Sequence, residues 1–338
     1  MKPKVTMDDI ARRFAVSKVT VSKALNNKDG VSEELRMRIK EEASKLGYSI
    51  NNAARSLRTQ KSNNVGLLIA ERYINNDNSY YFGVCGRIIS QLTQFGYSGV
   101  METLSDEVEK ALRLPLMYTE GKVDALIVVG QLSNDYLRLF ENFKIPVVFF
   151  DFYVDGIDVD SIIVDNFFSG FAVAQHLIKK GHKRIGFVGS LNSTSSIQDR
   201  FLGFYRALLV HNLKINYDYI IDDRDPEGHM INLELPKEMP TAFICNNDEV
   251  AYRFIQKLKV NNYRVPEDIS VVSFDNILYS TLSVPALTTV DNNVDEMVKV
   301  VCKMIMKKLN VPEKVYGCIQ VKSFIVYRDS VREIKEEK

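Results

Sequence analysis

The N-terminal stretch of the chain places apolar side chains at helical spacing. In VTMDDIARRFAV (residues 5–16), Ile10, Ala11 and Phe14 share one face of a helix. Thr6 precedes this face as a favourable N-cap, and two aspartates follow in the first turn, where the helix dipole stabilises acids. The pattern predicts a short amphipathic helix that begins after Thr6 and breaks at Ala15-Val16.

Two further helices follow, capped by Ser17 and Ser32. The inward positions of the second are Val21, Ala24 and Leu25. Its outer face near the start carries Lys18, Val19, Thr20, Ser22 and Lys23. The third helix has an apolar side of Leu35, Ile39, Ala43 and Leu46, and Gly47 suits its C′ position. Two short helices around a tight turn are typical of a helix-turn-helix, whose second helix meets base edges in the major groove.

From residue 65 onward, continuous Val, Ile and Phe runs alternate with stretches of helical periodicity. The first apolar runs are 65–70, 97–102, 124–130, 147–152 and 161–165, and the helical stretches are 79–95, 105–119, 133–142 and 166–180. The alternation begins again with runs at 184–189, 219–222, 241–246 and 269–275, and the chain closes with 287–293, 294–309 and 321–328. Runs without polar alternation predict strands buried on both faces, hence parallel sheets covered by helices.

Two such sets predict two doubly wound α/β lobes behind an all-helical headpiece. We expect the headpiece at residues 1–49, a hinge helix or linker at 50–62 and the core at 63–338. The first lobe of the core would comprise about 63–164 plus 291–321, and the second about 165–290 plus 322–330.

Composition excludes several classes of protein. The chain of 338 residues is 46% hydrophobic, enough for two large cores, but no apolar run is long enough to span a bilayer. The N-terminus MKPKVTMDD lacks the apolar region of a signal peptide, so we expect a cytoplasmic protein without membrane contact. The four cysteines are widely spaced and the histidines lack metal-ligand spacing, so reduced thiols and neither metal nor cofactor are expected.

Charge is divided unevenly along the chain. Residues 1–62 contain 14 Lys and Arg against 7 Asp and Glu, a net of +7, whereas the remainder has 30 against 36, a net of −6. A basic head on an acidic body is expected when one end of a chain meets the phosphates of DNA. The alternative, that these are three ordinary core helices of a larger domain, does not explain the asymmetry.

Several motifs resemble those of the lactose repressor/purine repressor (LacI) family of bacterial transcription regulators. They are VTMDDIA, VSKVTVSKALN, VSEELR and LGY within residues 5–48, and the resemblance continues to the C-terminus. It implies a periplasmic-binding-protein-like core with crossings between lobes near Val164, Val290 and Lys322. It also implies a hinge helix in NNAARSL (51–57) that folds on the operator and inserts Leu57 into the minor groove. The predicted DNA contacts are Thr6, Ser17, Lys18, Val19, Thr20, Ser22, Lys23, Asn26, Asn51, Arg55, Ser56 and Leu57.

Two departures from the family pattern bear on DNA recognition. Ile50 stands where Pro is usual, and Lys23 stands where Arg is common. Lys cannot make the bidentate contact that Arg makes to guanine, so the preferred operator is expected to differ at that base. A flexible linker is the alternative to a hinge helix, but an apolar wedge beside Arg55 and Arg58 favours DNA contact.

Polar residues end the predicted strands, where ligands bind in open α/β sheets. The resemblance implies that Arg200, Asn247 and Asp275 contact a small effector, and Asp151 and Asp165 also match effector-contacting positions of the family. Tyr81 and Phe82 stand at the family's aromatic position at the cleft mouth. Asn247 and Asp275 could instead cap the structure that follows, and the aromatic residues could be packing. Asp248 is expected to cap the helix beginning near Glu249.

No Walker, G-x-S-x-G or H-E-x-x-H motif is present, so an enzyme is not expected. Carboxylates, Asn, Arg and aromatic faces suit a polyhydroxylated ligand. The sequence therefore predicts a homodimeric repressor of carbohydrate genes that binds a pseudo-palindromic operator and answers to a sugar or sugar derivative. A sugar-binding transport protein would need an export signal and no basic headpiece. A regulator answering to a purine-type corepressor or a phosphoprotein stays open, although only Arg72 and Arg87 suggest a basic patch for the latter.

Overall fold

Three helices form at the predicted positions near the N-terminus. They are α1 (Met7–Phe14), α2 (Lys18–Leu25) and α3 (Glu33–Lys45). The predicted caps are confirmed, because Thr6, Ser17 and Ser32 each accept a hydrogen bond from the backbone N–H three residues later. Their buried apolar residues are Ile10, Ala11, Val21, Ala24, Ile39 and Ala43.

A buried arginine of α3 holds the loop after the second helix. The Arg36 guanidinium donates to the carbonyl oxygens of Lys23 (3.4 Å), Lys28 (3.0 Å) and Val31 (3.3 Å). One side chain thereby donates to three backbone carbonyl groups, and the Lys23 carbonyl also accepts from the Lys28 N–H at 2.9 Å. This contact ties the C-terminal end of α2 to α3, and the sequence pattern did not reveal it.

The computed structural model describes residues 5–25, 27–48, 61–74 and 80–334. The chain divides into two compact units, Met1–Ser62 and Asn63–Lys338. No helix in these described ranges is both long and apolar enough to cross a membrane.

The second unit alternates strands and helices as predicted. Its strands are β1 (Asn64–Ala70), β2 (Ser98–Leu104), β3 (Ala125–Val129), β4 (Val147–Phe150), β5 (Asp160–Val164), β6 (Ile185–Val188), β7 (Ile220–Ile221), β8 (Ala242–Cys245), β9 (Ser270–Phe274), β10 (Thr288–Asp291), β11 (Cys318–Val321) and β12 (Phe324–Val326). Its α-helices are α4 (Tyr80–Thr93), α5 (Asp106–Lys110), α6 (Leu116–Thr119), α7 (Asn134–Leu137), α8 (Asn166–Lys179), α9 (Ser195–Val210), α10 (Asp248–Val260), α11 (Leu278–Leu282) and α12 (Val294–Asn310). Short 3₁₀ turns lie at Glu71–Tyr73, Arg138–Asn142 and Tyr217–Tyr219.

The strands form two six-stranded sheets of matching order. The first lobe has β11-β5-β4-β3-β1-β2, and the second has β12-β10-β9-β8-β6-β7. The central strands are fully buried, which agrees with their unbroken apolar runs. The two-lobed, doubly wound α/β fold is therefore confirmed.

Three expectations about the elements were wrong in detail. Residues 105–119 do not form one helix, because the chain turns at Leu112 (φ +52°) and Pro115 precedes α6. The run 321–328 is not one strand, because β11 and β12 belong to different sheets. The second sheet is not wholly parallel, since β12 pairs antiparallel with β10. These differences arise where the chain passes between lobes or along an edge, which periodicity does not report.

Asp248 was expected to cap α10, and this expectation was wrong. Asn247 is the cap, with its Oδ1 accepting from the Val250 N–H at 2.8 Å. The buried Asp248 carboxylate accepts from the hydroxyls of Ser273 and Thr289 and from the Ile277 N–H. It therefore joins α10 to β9 and β10.

Asp248→Ala is expected to lower the free energy of unfolding by about 3 kcal/mol, because each buried donor left without an acceptor costs about 1–3 kcal/mol. Urea denaturation followed by far-UV circular dichroism measures the difference. Asp248→Asn keeps one acceptor oxygen and should lose less. Equal stability of the wild type and the alanine variant would show that these three bonds do not hold the lobe together.

Candidate functional site

A cavity of about 290 Å³ lies between the lobes at the carboxyl ends of the central strands. The first lobe contributes Tyr73, Tyr80, Tyr81 and Asp151, and the second contributes Arg200, Asn246, Asn247 and Asp275. In both sheets the strand order reverses beside the first strand of the set, β1 or β6. Open α/β sheets bind ligands at this switch point, so the cavity stands where the sheet topology favours a ligand. We call it the inner cavity.

Arg200 organises the wall of the second lobe. Its guanidinium donates to Asn166 Oδ1 (2.8 Å), to the Asn246 carbonyl and to Asp275 Oδ1 (3.3 Å). It also lies over the Phe274 ring, 4.5 Å from the centroid. Arg200 is only 4% exposed, so it fixes the strand-end residues around it more than it reaches into the cavity.

Close packing of two helices brings Arg200 to this position. A Cβ atom on Gly170 of α8 would lie 2.1 Å from the Arg200 carbonyl oxygen. A Cβ atom on Gly203 of α9 would lie 2.0 Å from the Phe167 carbonyl oxygen. Only glycine allows backbones to approach this closely, so the two glycines let α8 and α9 pack near enough for Arg200 of α9 to donate to Asn166 of α8.

Asp151 faces Arg200 from the first lobe. The Tyr81 hydroxyl donates to its Oδ2 at 2.9 Å, while its Oδ1 has no hydrogen-bond partner among the described residues. Burial is the main cause that raises the pKa of this carboxyl to about 7; the Arg200 charge and the Tyr81 hydrogen bond oppose it, and the Asp275 charge adds to it. A buried acceptor without a partner is costly unless something else satisfies it. Asp151 is thus the point in the cavity that most needs a donor.

The two strand-end carboxylates share an unusual backbone conformation. Asp151 has φ +72° and Asp275 has φ +98°. Non-glycine residues with positive φ are uncommon, and such strain clusters at functional sites. In both lobes the strained residue follows a buried central strand and points a carboxylate at the cleft.

The structure separates the predicted ligand-contacting residues into two groups. Tyr81, Asp151, Arg200, Asn247 and Asp275 all line the inner cavity. Asp165 is instead the N-cap of α8, accepting from the Phe168 N–H at 3.0 Å, and lies outside the lining. Phe82 does not line the inner cavity and is 56% exposed.

Sequence reasoning missed several lining residues that follow strands. Arg72 and Tyr73 lie in the 3₁₀ turn after β1, Arg224 lies three residues after β7, and Asn246 follows β8 directly. The strand-end rule would have selected them, but it was applied only to acidic residues and to Asn247. Arg72 is not a surface residue, since it is buried and forms an ion pair with Glu109 at 2.6 Å.

Direct contacts bridge the lobes around the cavity. Gln131 Oε1 accepts from the Ser195 N–H at 2.8 Å, and the Tyr153 hydroxyl donates to Asp199 at 3.1 Å. His229 Nε2 lies 3.0 Å from Asp106 across the cleft. The lobes are therefore held together by these contacts, and both of them line the inner cavity.

The outer face of α2 presents the predicted DNA contacts. Val19 is 64% exposed, so its side chain is free to meet an apolar group such as a thymine methyl. Lys18 is exposed and pairs with Asp8 at 2.7 Å. Exposed pairs contribute at most about 1 kcal/mol, so Lys18 can exchange Asp8 for a phosphate. Thr6 and Ser17 act as caps, Thr20 bonds to Ser17, and Ser22 and Lys23 are half-buried.

The remaining predicted DNA contacts lie outside the described residues. These are Asn26, Asn51, Arg55, Ser56 and Leu57.

A helix-turn-helix unit joined to a two-lobed ligand-binding core defines a ligand-responsive transcription regulator. Residues 6–51 match the family described as "Bacterial regulatory proteins, lacI family", and residues 174–331 match the "Periplasmic binding protein-like domain". The chain belongs to the LacI family of bacterial regulatory proteins. It is a DNA-binding transcriptional repressor of that family, not an enzyme.

Similar proteins span the whole chain. The repressor PurR of Aliivibrio salmonicida is 29% identical over 97% of this chain and 99% of its own length. PurR of Actinobacillus pleuropneumoniae is 28% identical over 98% of this chain and 99% of its own length. The fold is shared with the solved structure of the lac repressor dimer bound to operator and the anti-inducer ONPF, with a TM-score of 0.77 and 22% identity over 98% of this chain and 100% of that chain. It is also shared with the complex of the transcriptional regulator CelR with cellobiose, with a TM-score of 0.68 and 20% identity over 97% of this chain and 100% of that chain.

Proposed function

We propose that this repressor acts in the cytoplasm as a homodimer whose operator binding is controlled by a small polyhydroxylated effector, a sugar or sugar derivative, in the inner cavity. The observation that carries the proposal is the partnerless Oδ1 of buried Asp151. A sugar hydroxyl supplies the donor that this oxygen lacks. The same hydroxyl can accept from a neighbouring group, which suits a wall of mixed donors and acceptors.

The rest of the cavity supports a sugar. The Asn247 cap uses Oδ1, so a ligand would meet the amide nitrogen of that side chain. Tyr73 and Tyr81 place two tilted rings 5.1 Å apart beside Asp151, which gives an apolar face next to polar groups. Sites that fix the orientation of a small ligand typically combine a partly aromatic wall with a small number of polar groups that point at the ligand.

A purine base is the second candidate, and the similarity to PurR repressors favours it. A purine would also stack on tyrosine and could donate an N–H to Asp151. A phosphoprotein partner has less support, because Arg72 faces the cleft and Arg87 pairs with Asp295 at 2.9 Å.

Isothermal titration of the full chain with neutral sugars and with hypoxanthine and guanine separates these candidates. We expect a sugar to bind and to raise the melting temperature by mass action. Its affinity should fall as the pH is lowered through about 7, because protonation removes the carboxylate to which the hydroxyl donates. Asp151→Asn should weaken binding about tenfold and abolish this pH dependence. Tighter binding of a purine base than of any sugar would refute the sugar proposal.

Operator binding and effector binding would then be coupled through lobe closure. A ligand touching both lobes favours whichever closure state it binds better, and it acts on DNA only through that difference. The direction of the coupling distinguishes an inducer from a corepressor, and operator affinity measured with and without the bound sugar reveals it.

A further inference from the structure

The interlobe cleft contains a second, larger compartment. This outer cavity has a volume of about 700 Å³ and meets the inner cavity at a neck. Residues that line both cavities are Arg72, Tyr73, Thr194, Arg224 and Gly228. The inner cavity, at about 290 Å³, is at the small end of the range for ligand pockets. One sugar ring suits it, and a longer ligand has to pass the neck.

Charges at the inner cavity are already paired within the chain. Arg200 pairs with Asp275, and Arg253 lies 3.7 Å from Glu249. At the neck, Arg72 pairs with Glu109 at 2.6 Å and Arg224 pairs with Asp223 at 2.7 Å. Each of these guanidinium groups is therefore neutralised, while Asp151 adds a further carboxyl. To gain the cation of Arg200, Arg72 or Arg224, a phosphate would have to displace a carboxylate from a buried pair, which is costly; only the Arg253 pair is substantially exposed among these four.

The outer cavity is more acidic than the inner one. In the part of the chain that the structure describes, three basic side chains line it, against the carboxylates of Asp106, Glu109, Asp222, Asp225 and Glu227. Two of the basic groups are those paired at the neck, which leaves Lys110. Hydroxyl and amide side chains such as Ser133, Asn134 and Asn192 complete the wall. This surface repels anions but offers hydrogen bonds to neutral hydroxyl groups.

We propose that the effector is an uncharged oligosaccharide of two or more rings, with one ring in the inner cavity and the next in the outer cavity. The inference rests on the proposed sugar function and deepens it. The acidic outer wall selects a free glycoside over its phosphorylated form, and the second ring gains contacts that no monosaccharide makes.

Titration calorimetry of the full chain tests the two-ring inference by comparing each monosaccharide with its oligomers. The series are glucose with cellobiose, maltose and cellotriose, xylose with xylobiose, and mannose with mannobiose; glucose 6-phosphate tests the effect of charge. A disaccharide of one series should bind at least tenfold more tightly than its monosaccharide, and glucose 6-phosphate should bind no better than glucose. Asn192→Trp, which fills the outer cavity from an exposed position, should remove the gain of the disaccharide while leaving the monosaccharide affinity within twofold. Lys214→Trp, at an exposed position outside the cleft, is the control and should change neither affinity.

Equal affinity for a monosaccharide and its oligomers would overturn the two-ring inference while leaving the sugar function intact. Tighter binding of glucose 6-phosphate than of glucose would overturn the argument from charge. Binding of hypoxanthine or guanine, with no sugar bound, would overturn the inference together with the proposed function. An unchanged disaccharide advantage in Asn192→Trp would show that the second ring lies elsewhere.

Discussion

Removing residues 1–62 is expected to lower the affinity for the operator by about a thousandfold or more, the margin that separates specific from non-specific binding. This segment carries the net charge of +7 and the exposed face of α2, whereas the remaining chain is acidic and would repel DNA. Gel retardation with the DNA upstream of the protein's own gene, in the presence of excess competitor DNA, measures the loss.

The truncated chain is its own control for folding. The core Asn63–Lys338 is a compact unit with its own hydrophobic clusters, so its melting transition and its affinity for the effector should remain close to those of the full chain. Val19→Ser is a milder companion variant, since this exposed side chain contributes little to folding but would lose its apolar contact with DNA. Specific retardation by the truncated core would place DNA recognition elsewhere in the chain.

Asp275→Ala is expected to weaken effector binding by about 100-fold and to abolish the effect of the ligand on operator affinity. A 100-fold loss is about 2.8 kcal/mol, and one hydrogen bond to a charged group, which contributes about 1.5–3 kcal/mol, accounts for it. Asp275 now accepts from Arg200 and from Asn292 at 2.9 Å, so the variant also loosens the wall around the cavity. Titration calorimetry with the bound sugar measures the affinity, and gel retardation measures the response.

Operator affinity without effector should stay close to that of the wild type, because Asp275 belongs to the core and not to the DNA-binding unit. Linkage requires operator DNA to shift effector affinity by the same factor as the effector shifts operator affinity, and the variant should lose both shifts together. Glu267→Ala, on the exposed surface of the second lobe, is the matched control. Arg200→Ala is a poorer choice, since it removes the positive charge beside Asp275 and the donor to the Asn246 carbonyl from a buried site. Wild-type affinity in Asp275→Ala would show that the ligand sits elsewhere.

Local sequence predicted the headpiece and strand-end residues well. Caps such as Thr6, Ser17 and Ser32 depend on residues three positions apart, so the chain itself carries that information. Unbroken apolar runs likewise report burial on both faces of a sheet, and the strand-end rule then selects Asp151 and Asp275. Local sequence did not predict that Asn247 caps α10 while Asp248 accepts hydrogen bonds from the neighbouring strands. Both residues are polar and adjacent at the helix start, so their roles depend on which donors the folded strands place beside each of them.

The sequence by itself determined that this chain has a basic helix-turn-helix and two α/β lobes, since charge, caps and apolar periodicity are properties of neighbouring residues. Only the tertiary structure decided which polar groups remain for a ligand. Arg200 meets Asn166 and Asp275 across 34 and 75 residues of chain, and Arg72 meets Glu109 across 37. These pairings neutralise the arginines that a phosphate would need, while one oxygen of Asp151 has no hydrogen-bond partner within the part of the chain that the structure describes. Such long-range pairing depends on the close approach of α8 and α9 at Gly170 and Gly203, which no local pattern encodes.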